Sequence, residues 1–249
     1  MKLNGKLRAI IPSALKDILR PAYYGTVQMF SGIRPGSLTH DRISKLLKKP
    51  DPVIFEVGCN DGSDTLEFVR RFPSARIYCF EPEPRAIRRF KQKLDKSMPQ
   101  VTLFELALTD SDGWIDFHQS DGENGDLPEG WDYSGSVRAP KSHLTKHPRV
   151  KFEKTTRVRT TTLDKICNDL GVSHIDFIWM DVQGAEGDVL RGARGMLPSI
   201  DYIYTEYSNE ELYEGQLGLD GLKSELINFD VIVRYPGDVL FRNKRVTKG

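Results

Sequence analysis

One stretch sets the terms for the rest of the chain: Val53 to Gly62, VIFEVGCNDG. A short apolar run, Val53-Ile54-Phe55, leads into Glu56, and then Gly58 and Gly62 flank Asn60 and Asp61. Behind them Ser63-Asp64-Thr65 opens a helical pattern of Leu66, Phe68, Val69 and Phe72. The pattern predicts a buried strand, a tight glycine turn and a helix. Glycine lets a backbone bend sharply and lets a ligand approach where a Cβ would obstruct. In open α/β sheets ligands bind beside such turns, at the carboxyl ends of the strands, so this loop is expected to seat a nucleotide-like cofactor.

The remaining pattern extends that unit. Arg76 to Phe80 predicts a second buried strand ending in Glu81, and Pro84 to Leu94 a basic amphipathic helix. Val101 to Leu106 predicts a third strand running into Ala107-Leu108, Ile175 to Met180 a fourth ending in Asp181, and Tyr202 to Thr205 a fifth ending in Glu206-Tyr207. Helices are expected over 40–47, 163–170 (capped by Thr162 and stopped by Gly171), 185–197 and 219–229. Val231–Val233 and Val239–Phe241 flank Pro236-Gly237-Asp238, a hairpin signal. Strands alternating with helices through short connections imply a parallel sheet with right-handed crossovers, here closed at its edge by an antiparallel hairpin strand.

At 249 residues and 39% hydrophobic, the chain suits one substantial α/β domain. Two segments stand outside the pattern. Residues 1–50 form an arm in which Lys2, Lys6, Arg8, Lys16 and Arg20 are opposed only by Asp17 and apolar residues recur at nearly helical spacing. It reads either as a helix packed on the domain or as a basic amphipathic helix resting on a membrane surface. Residues 119–160 form an insertion with little regular pattern, acidic in its first half and basic in its second. Such loops are usually lids or binding loops, and this one is expected to cover the substrate.

Composition excludes several classes. A formal charge of +1 gives no reason to expect nucleic acid as a partner. Cys59, Cys79 and Cys167 share no ligand spacing and fit reduced, structural thiols in a cytoplasmic protein. No apolar run approaches the roughly 20 residues that span a bilayer, and the N-terminus lacks the apolar segment of a secretory signal.

The strand ends indicate the ligand. Glu56, Glu81, Asp181 and Glu206 put carboxylates on the carboxyl edge, which suits a polar, cationic ligand. Glu81, 23 residues after Gly58, is placed to accept hydrogen bonds from both hydroxyls of a ribose. The loop is G-x-x-x-G, not the G-x-G-x-x-G of dinucleotide sites. Asn60 stands where a glycine would let the turn approach a pyrophosphate, and Glu56, Asp61 and Asp64 would repel one. S-adenosylmethionine, a ribose-bearing molecule with a sulfonium and no phosphate, fits better than NAD.

The blocks EVGCNDG, CFEPEP, LALTDSDG, TTTLDKI, DFIWMDVQGAEGDVLRGA and YTEYS, spread over roughly residues 50–235, together resemble the FkbM family of S-adenosylmethionine-dependent methyltransferases. The resemblance implies the class I methyltransferase fold: Rossmann-like α/β, a seven-stranded mostly parallel sheet with helices on both faces. It implies O-methylation, often of sugars. It puts the methionine part of the cofactor on Glu56, Gly58, Cys59, Asn60, Asp61 and Gly62, with Asp181 beside it. The ribose falls to Glu81 and the adenine to Pro82, Leu106 and Ala107. The chain departs from the family pattern at Trp179 and Gln183, where Lys and Glu are usual. Asp181, Gln183 and Glu206 would make a thin ligand set for Mg²⁺.

The implied chemistry is an in-line attack of a hydroxyl oxygen on the methyl group, governed by alignment and helped by a base. Asp181 is the first candidate base, Glu206 the second and His143 the third. Tyr207, Trp131 and Tyr133 are available to stack on a sugar face, and Arg138, Lys141 and Arg149 to hold an anionic group of the acceptor. Methylation of a small non-sugar metabolite, a non-catalytic binding module and an NAD-linked oxidoreductase are the alternatives. An apolar acceptor pocket would favour the metabolite.

Overall fold

The computed structural model describes residues 36–94, 98–122 and 131–246. Residues 1–35 of the N-terminal arm, and Glu123, Asp126 and Glu129 of the acidic half of the insertion, lie outside the described residues.

Strand β1 (Val53–Val57) is buried along its whole length, as its apolar run requires. It lies between β2 (Arg76–Phe80) and the strand Ile175–Met180, both parallel to it. In chain order the elements are α1 (His40–Leu47), β1, α2 (Ser63–Arg71), β2, α3 (Pro84–Lys93), β3 (Val101–Phe104), β4 (Ala107–Leu108), β5 (Gly113–Gly122), α4 (His143–Lys146), β6 (Val150–Thr161), α5 (Leu163–Leu170), β7 (Ile175–Met180), α6 (Glu186–Arg191), β8 (Ile200–Glu206), α7 (Leu219–Glu225), β9 (Phe229–Arg234) and β10 (Asp238–Asn243). The main sheet has seven strands in the order β3-β2-β1-β7-β8-β10-β9. Only β10 runs antiparallel to its neighbours. It inserts between β8 and β9, so the antiparallel strand is next to the edge and β9 is the edge itself.

Side chains alternate across a strand, and β1 divides the core accordingly. Val53, Phe55 and Val57 face one layer with Leu163, Ile166, Val189 and Leu222 of α5, α6 and α7. Ile54 faces the other with Ile43, Phe68 and Phe90 of α1, α2 and α3. Two of the expected helices are shorter than their patterns. α6 ends at Arg191, where Gly192 and Gly195 follow and Pro198 enters a 3₁₀ turn over Leu197–Ser199. α7 ends at Glu225 because Phe229 already belongs to β9.

The insertion is more regular than its sequence suggested. β5 and β6 form a long antiparallel ribbon from Gly113↔Thr160 to Gly122↔Val150, with β4 alongside β6 in a second, three-stranded sheet. Most of the ribbon's side chains reach solvent. Its order therefore resides in backbone pairing and cross-strand charge, such as Asp116 opposite Arg157 at 3.6 Å, and not in an apolar period. No helix among the described residues is long and apolar enough to cross a membrane.

The sheet reverses its order between β1 and β7, and their two carboxyl ends meet there. Asp181 N–H donates to the Val57 carbonyl at 2.9 Å, and Gly58 and Cys59 N–H to the Phe80 carbonyl at 2.9 and 3.1 Å. Gly58 has φ +85°, and a Cβ on it would lie 1.8 Å from the Asp181 carbonyl oxygen. Gly58→Ala therefore combines left-handed strain with a backbone collision. It is expected to cost more than about 4 kcal/mol, measured as a collapse of the thermal unfolding midpoint; a variant that melts like the wild type would refute the contact.

Candidate active site

The turn after β1 is shaped by three left-handed residues, Gly58, Asn60 (φ 43°) and Gly62. It is held from below by Glu81, whose carboxylate accepts the N–H of Asn60 and the N–H of Glu83, each at 2.8 Å. Burial pushes the Glu81 carboxyl up to about 7, against the pull of those two N–H groups, and the neighbouring Glu83 and Asp132 add to the rise. Each Glu81 oxygen has a second lone pair to offer.

Above the turn lies a crevice partly open to solvent. Of the expected cofactor residues, Gly58, Asn60, Glu81, Pro82, Leu106, Ala107 and Asp181 line it. Glu56, Cys59, Asp61 and Gly62 do not; they build the turn. Glu56 points to the opposite face of the sheet and accepts the Thr65 hydroxyl at 2.6 Å. Burial raises its carboxyl well above the usual range, and Cys79 adds to this. Asp61 accepts the N–H of Ser63 at 3.1 Å and the Lys93 ammonium at 2.6 Å. A Cβ on Gly62 would fall 2.4 Å from the side chain of Leu94, so this glycine lets α2 and α3 close up.

The ribbon is fastened over the crevice through α3. Gln119 donates to the Glu83 carboxylate at 2.9 Å, Arg85 to the Ser120 carbonyl at 2.8 Å, and Arg89 to both oxygens of buried Asp132 at 2.8 and 2.7 Å. This brings Phe117, Asp132, Tyr133 and Val137 to the crevice wall.

Gln183 joins the two strand-end acids. Its Nε2 donates to Asp181 at 2.6 Å and to Glu206 at 3.1 Å, and its Oε1 lies 3.1 Å from the Tyr213 hydroxyl. Glu206 is pushed up to about 9 by burial and then by Asp181, Glu186 and Asp238. Asp181 is also raised, first by burial. Burial likewise lifts Glu186 to about 7 and Asp238 to about 6. Burial and the mutual repulsion of Asp181 and Glu206 therefore favour retention of a proton by the pair. The Gln183 amide turns N–H groups, not its oxygen, toward both acids, which is the wrong polarity for a Mg²⁺ ligand set. Among the described residues, one His/Asp/Glu group is close enough to share an ion, His174–Asp176–Asp201. It lies at the amino ends of β7 and β8, where Lys49 and Arg245 already pair with its acids.

A second cavity, open to solvent, lies on the far side of Gln183, which lines both. Trp131, His143, Lys146, His147, Arg149 and Glu206 line this one. Of the three candidate bases, then, Asp181 faces the first cavity and Glu206 and His143 the second. His143 is 4% exposed, and burial followed by the His147 charge pushes its imidazole down to about 4. Trp131 and Tyr133 lie 5.0 Å apart, one at each cavity. Tyr207 packs against the core and lines neither. Of the basic residues, Arg149 reaches the second cavity. Arg138 donates from Nε and Nη2 to Asp188 at 2.7 and 2.6 Å, and Lys141 pairs with Glu211. Trp179, a departure from the family pattern, points to the α1 face and stacks on His40 at 5.4 Å. The roles of Tyr213, Lys146 and His147 had no signal in the sequence, whereas Gln183 stood out as a substitution in its block.

The model of the methyltransferase FkbM domain matches residues 56–240. The chain belongs to the FkbM methyltransferase family. It is 47% identical over 211 residues to the 2-O-methyltransferase NoeI of Sinorhizobium fredii, covering 83% of this chain and 86% of the relative. It is 24% identical over 156 residues to the hexuronic acid methyltransferase AglP of Haloferax volcanii, covering 63% and 56%. The crystal structure of methyltransferase FkbM from Methylobacillus flagellatus KT superimposes with a TM-score of 0.55 at 15% identity, over 89% of this chain and 50% of that one, a likeness of fold. The enzyme is an S-adenosylmethionine-dependent O-methyltransferase, and the seven-stranded sheet with one antiparallel strand is that of class I methyltransferases.

The buried acids link stability to pH. Glu81, Glu186 and Glu206 have folded values above their unfolded ones, so their contribution is complete below about pH 4.5 and is lost as pH rises through 7 and on to 9. His143 acts oppositely, losing its contribution only as pH falls from 6.5 through about 4. Between pH 6.5 and 9 the acids dominate. The unliganded enzyme should melt at lower temperature at pH 9 than at pH 6.5 in matched ionic strength, and a flat or rising midpoint would contradict the assignment.

Proposed function

We propose that this enzyme methylates a hydroxyl group of a sugar, with the methyl donor in the first cavity and the sugar in the second. The observation that carries the reading is that the two cavities meet at Gln183, between Asp181 and Glu206. The donor set suits the cofactor. Glu81 is a buried carboxylate with lone pairs to spare, and among the described residues no Lys or Arg forms an ion pair with Asp181, Glu186 or Glu206. A cationic, ribose-bearing ligand answers both features.

When bound, S-adenosylmethionine supplies a methyl group on a positively charged sulfur, and its departure leaves a neutral thioether. In this reading Glu81 accepts the ribose hydroxyls, Pro82, Leu106 and Ala107 flank the adenine, and Gly58, Asn60 and Asp181 border the methionine end. The second cavity's lining is mixed, with His143, Lys146, Arg149 and Glu206 beside Trp131, Pro148, Val150 and Leu212, which suits a sugar that offers both hydroxyls and an apolar ring face. The names of two relatives, a 2-O-methyltransferase and a hexuronic acid methyltransferase, point the same way.

The test is calorimetric titration with S-adenosylmethionine, followed by product analysis on methyl glycosides of hexoses, 6-deoxyhexoses and hexuronic acids. Glu81→Gln removes a charged acceptor worth about 1.5–3 kcal/mol per hydrogen bond and should weaken cofactor binding roughly 10–100-fold. Trp131→Ala should raise KM for the glycoside and leave cofactor affinity within about twofold. Cofactor binding without methylation of any glycoside would sink the sugar reading.

A further inference from the structure

The hydroxyl that is methylated has to come within about 3 Å of the methyl carbon, yet donor and acceptor occupy different cavities. Asp181 lines the first and Glu206 the second, whereas Gln183 lines both. A hydroxyl reaching from the second cavity toward the methyl group therefore arrives beside the Gln183 side chain.

That side chain is fixed before any ligand enters. Gln183 has φ 50°, a left-handed conformation that residues other than glycine rarely take, and Gly184 follows at φ 93°. A Cβ on Gly184 would lie 2.9 Å from the Tyr213 side chain, so the Tyr213 ring closes directly on the turn. The other non-glycine left-handed residues among those described are Lys48, which caps α1, and Asn60, which lines the first cavity. Strain of this kind persists where surrounding contacts impose it, and it collects at ligand sites.

A count of hydrogens shows what the side chain still lacks. An amide has two N–H hydrogens and an oxygen with two lone pairs. The carboxyl groups of Asp181 and Glu206 take both hydrogens, at 2.6 and 3.1 Å. The oxygen faces one donor, the Tyr213 hydroxyl at 3.1 Å, and the Ser134 carbonyl competes for that hydroxyl's single hydrogen at 2.8 Å. Oε1 thus keeps at least one lone pair for a further donor, and it keeps both when the tyrosine hydrogen goes to Ser134. A hydroxyl of the acceptor brings that donor; an apolar group does not.

We propose that Gln183 Oε1 accepts a hydrogen bond from the reacting hydroxyl and so selects which hydroxyl of the sugar is methylated. The proposal rests on the two-cavity sugar reading above. With its hydrogen on Oε1, the acceptor oxygen has its lone pairs left to turn toward the methyl group, while a neighbouring hydroxyl of the same ring is out of line. The amide does not take the proton. It is an acceptor already in place at the junction, and alignment of this kind is what methyl transfer needs. Glutamate, usual in the family at this position, would set a third carboxyl group beside Asp181 and Glu206. Glutamine supplies the acceptor oxygen and, from the same group, hydrogens for both acids.

The experiment uses the full chain saturated with S-adenosylhomocysteine and two glycosides: the methyl glycoside of the panel that the wild type methylates, and its analogue with hydrogen in place of the methylated hydroxyl. One neutral hydrogen bond corresponds to about 3–10-fold in Kd, so the wild type should bind the deoxy analogue that much more weakly. Gln183→Met keeps the reach of the side chain and removes its polar end. Gln183→Asn tolerates the left-handed backbone and withdraws the amide by one methylene. Each variant should bind the two glycosides within about 1.5-fold of one another, because the partner of the hydroxyl is gone. Each should also lower kcat by about 10–100-fold and spread methylation onto neighbouring hydroxyls. A wild type that binds both glycosides alike, or variants that keep its preference and its single product, overturn the assignment and leave the sugar reading intact. A wild type that binds S-adenosylmethionine and methylates no glycoside removes both. If neither variant folds, the wild-type comparison alone decides.

Discussion

The structure depends on one close approach, the backbone of Gly58 against the carbonyl of Asp181. Parallel strands that carry connections in opposite directions must part at their carboxyl ends, and the gap they leave is the ligand site. Here β1 and β7 stay hydrogen-bonded to the last residue, with Asp181 N–H on Val57, and diverge only beyond it. The absence of a side chain at Gly58 makes this possible. It places the cofactor turn and the strand-end acid within one bonded unit, so that the two walls of the crevice cannot move independently. Glu81 extends the unit to β2 by accepting the N–H of Asn60.

The insertion is tied to that unit by charge and hydrogen bonds. Glu83 caps α3, receives Arg85 and Gln119, and thereby couples the second strand's end to the ribbon. Asp132, almost fully buried, is bound by Arg89, which also reaches Asn60 of the turn. The sign reversal along the insertion has a structural use as well. Basic residues of β6 face acidic ones of β5 across the ribbon, and Arg138 is bound by Asp188 of α6. Of the three cations named in advance, Arg149 lines the second cavity.

Much of this was legible in the sequence. The parallel sheet follows from strands alternating with helices through short connections, Glu81 and Asp181 follow from their places at strand ends, and Pro82, Leu106 and Ala107 were implied by the family resemblance; all five line the crevice. Three features were hidden for physical reasons. The period of two decides which face of a strand a side chain takes, and it turns Glu56 away from the crevice although Glu56 begins the glycine motif. A solvated ribbon is held by its backbone, so β6 carried no apolar signature beyond its final turn toward the core. Gln183 gains its importance from a left-handed backbone, φ 50°, that sets its amide between nearby Asp181 and Glu206, the latter 23 positions away. No local pattern encodes such a meeting.

The charge layout of the two cavities bears on the chemistry. In the proposed reaction positive charge starts on the sulfur side and ends on the acceptor oxygen before the proton leaves. Carboxylates fully ionised around the sulfur would hold the charge where it begins and so stabilise the ground state more than the transition state. A proton held by the Asp181–Glu206 pair, which burial and their mutual repulsion favour, reduces that opposing field, and the Gln183 amide bonds both acids.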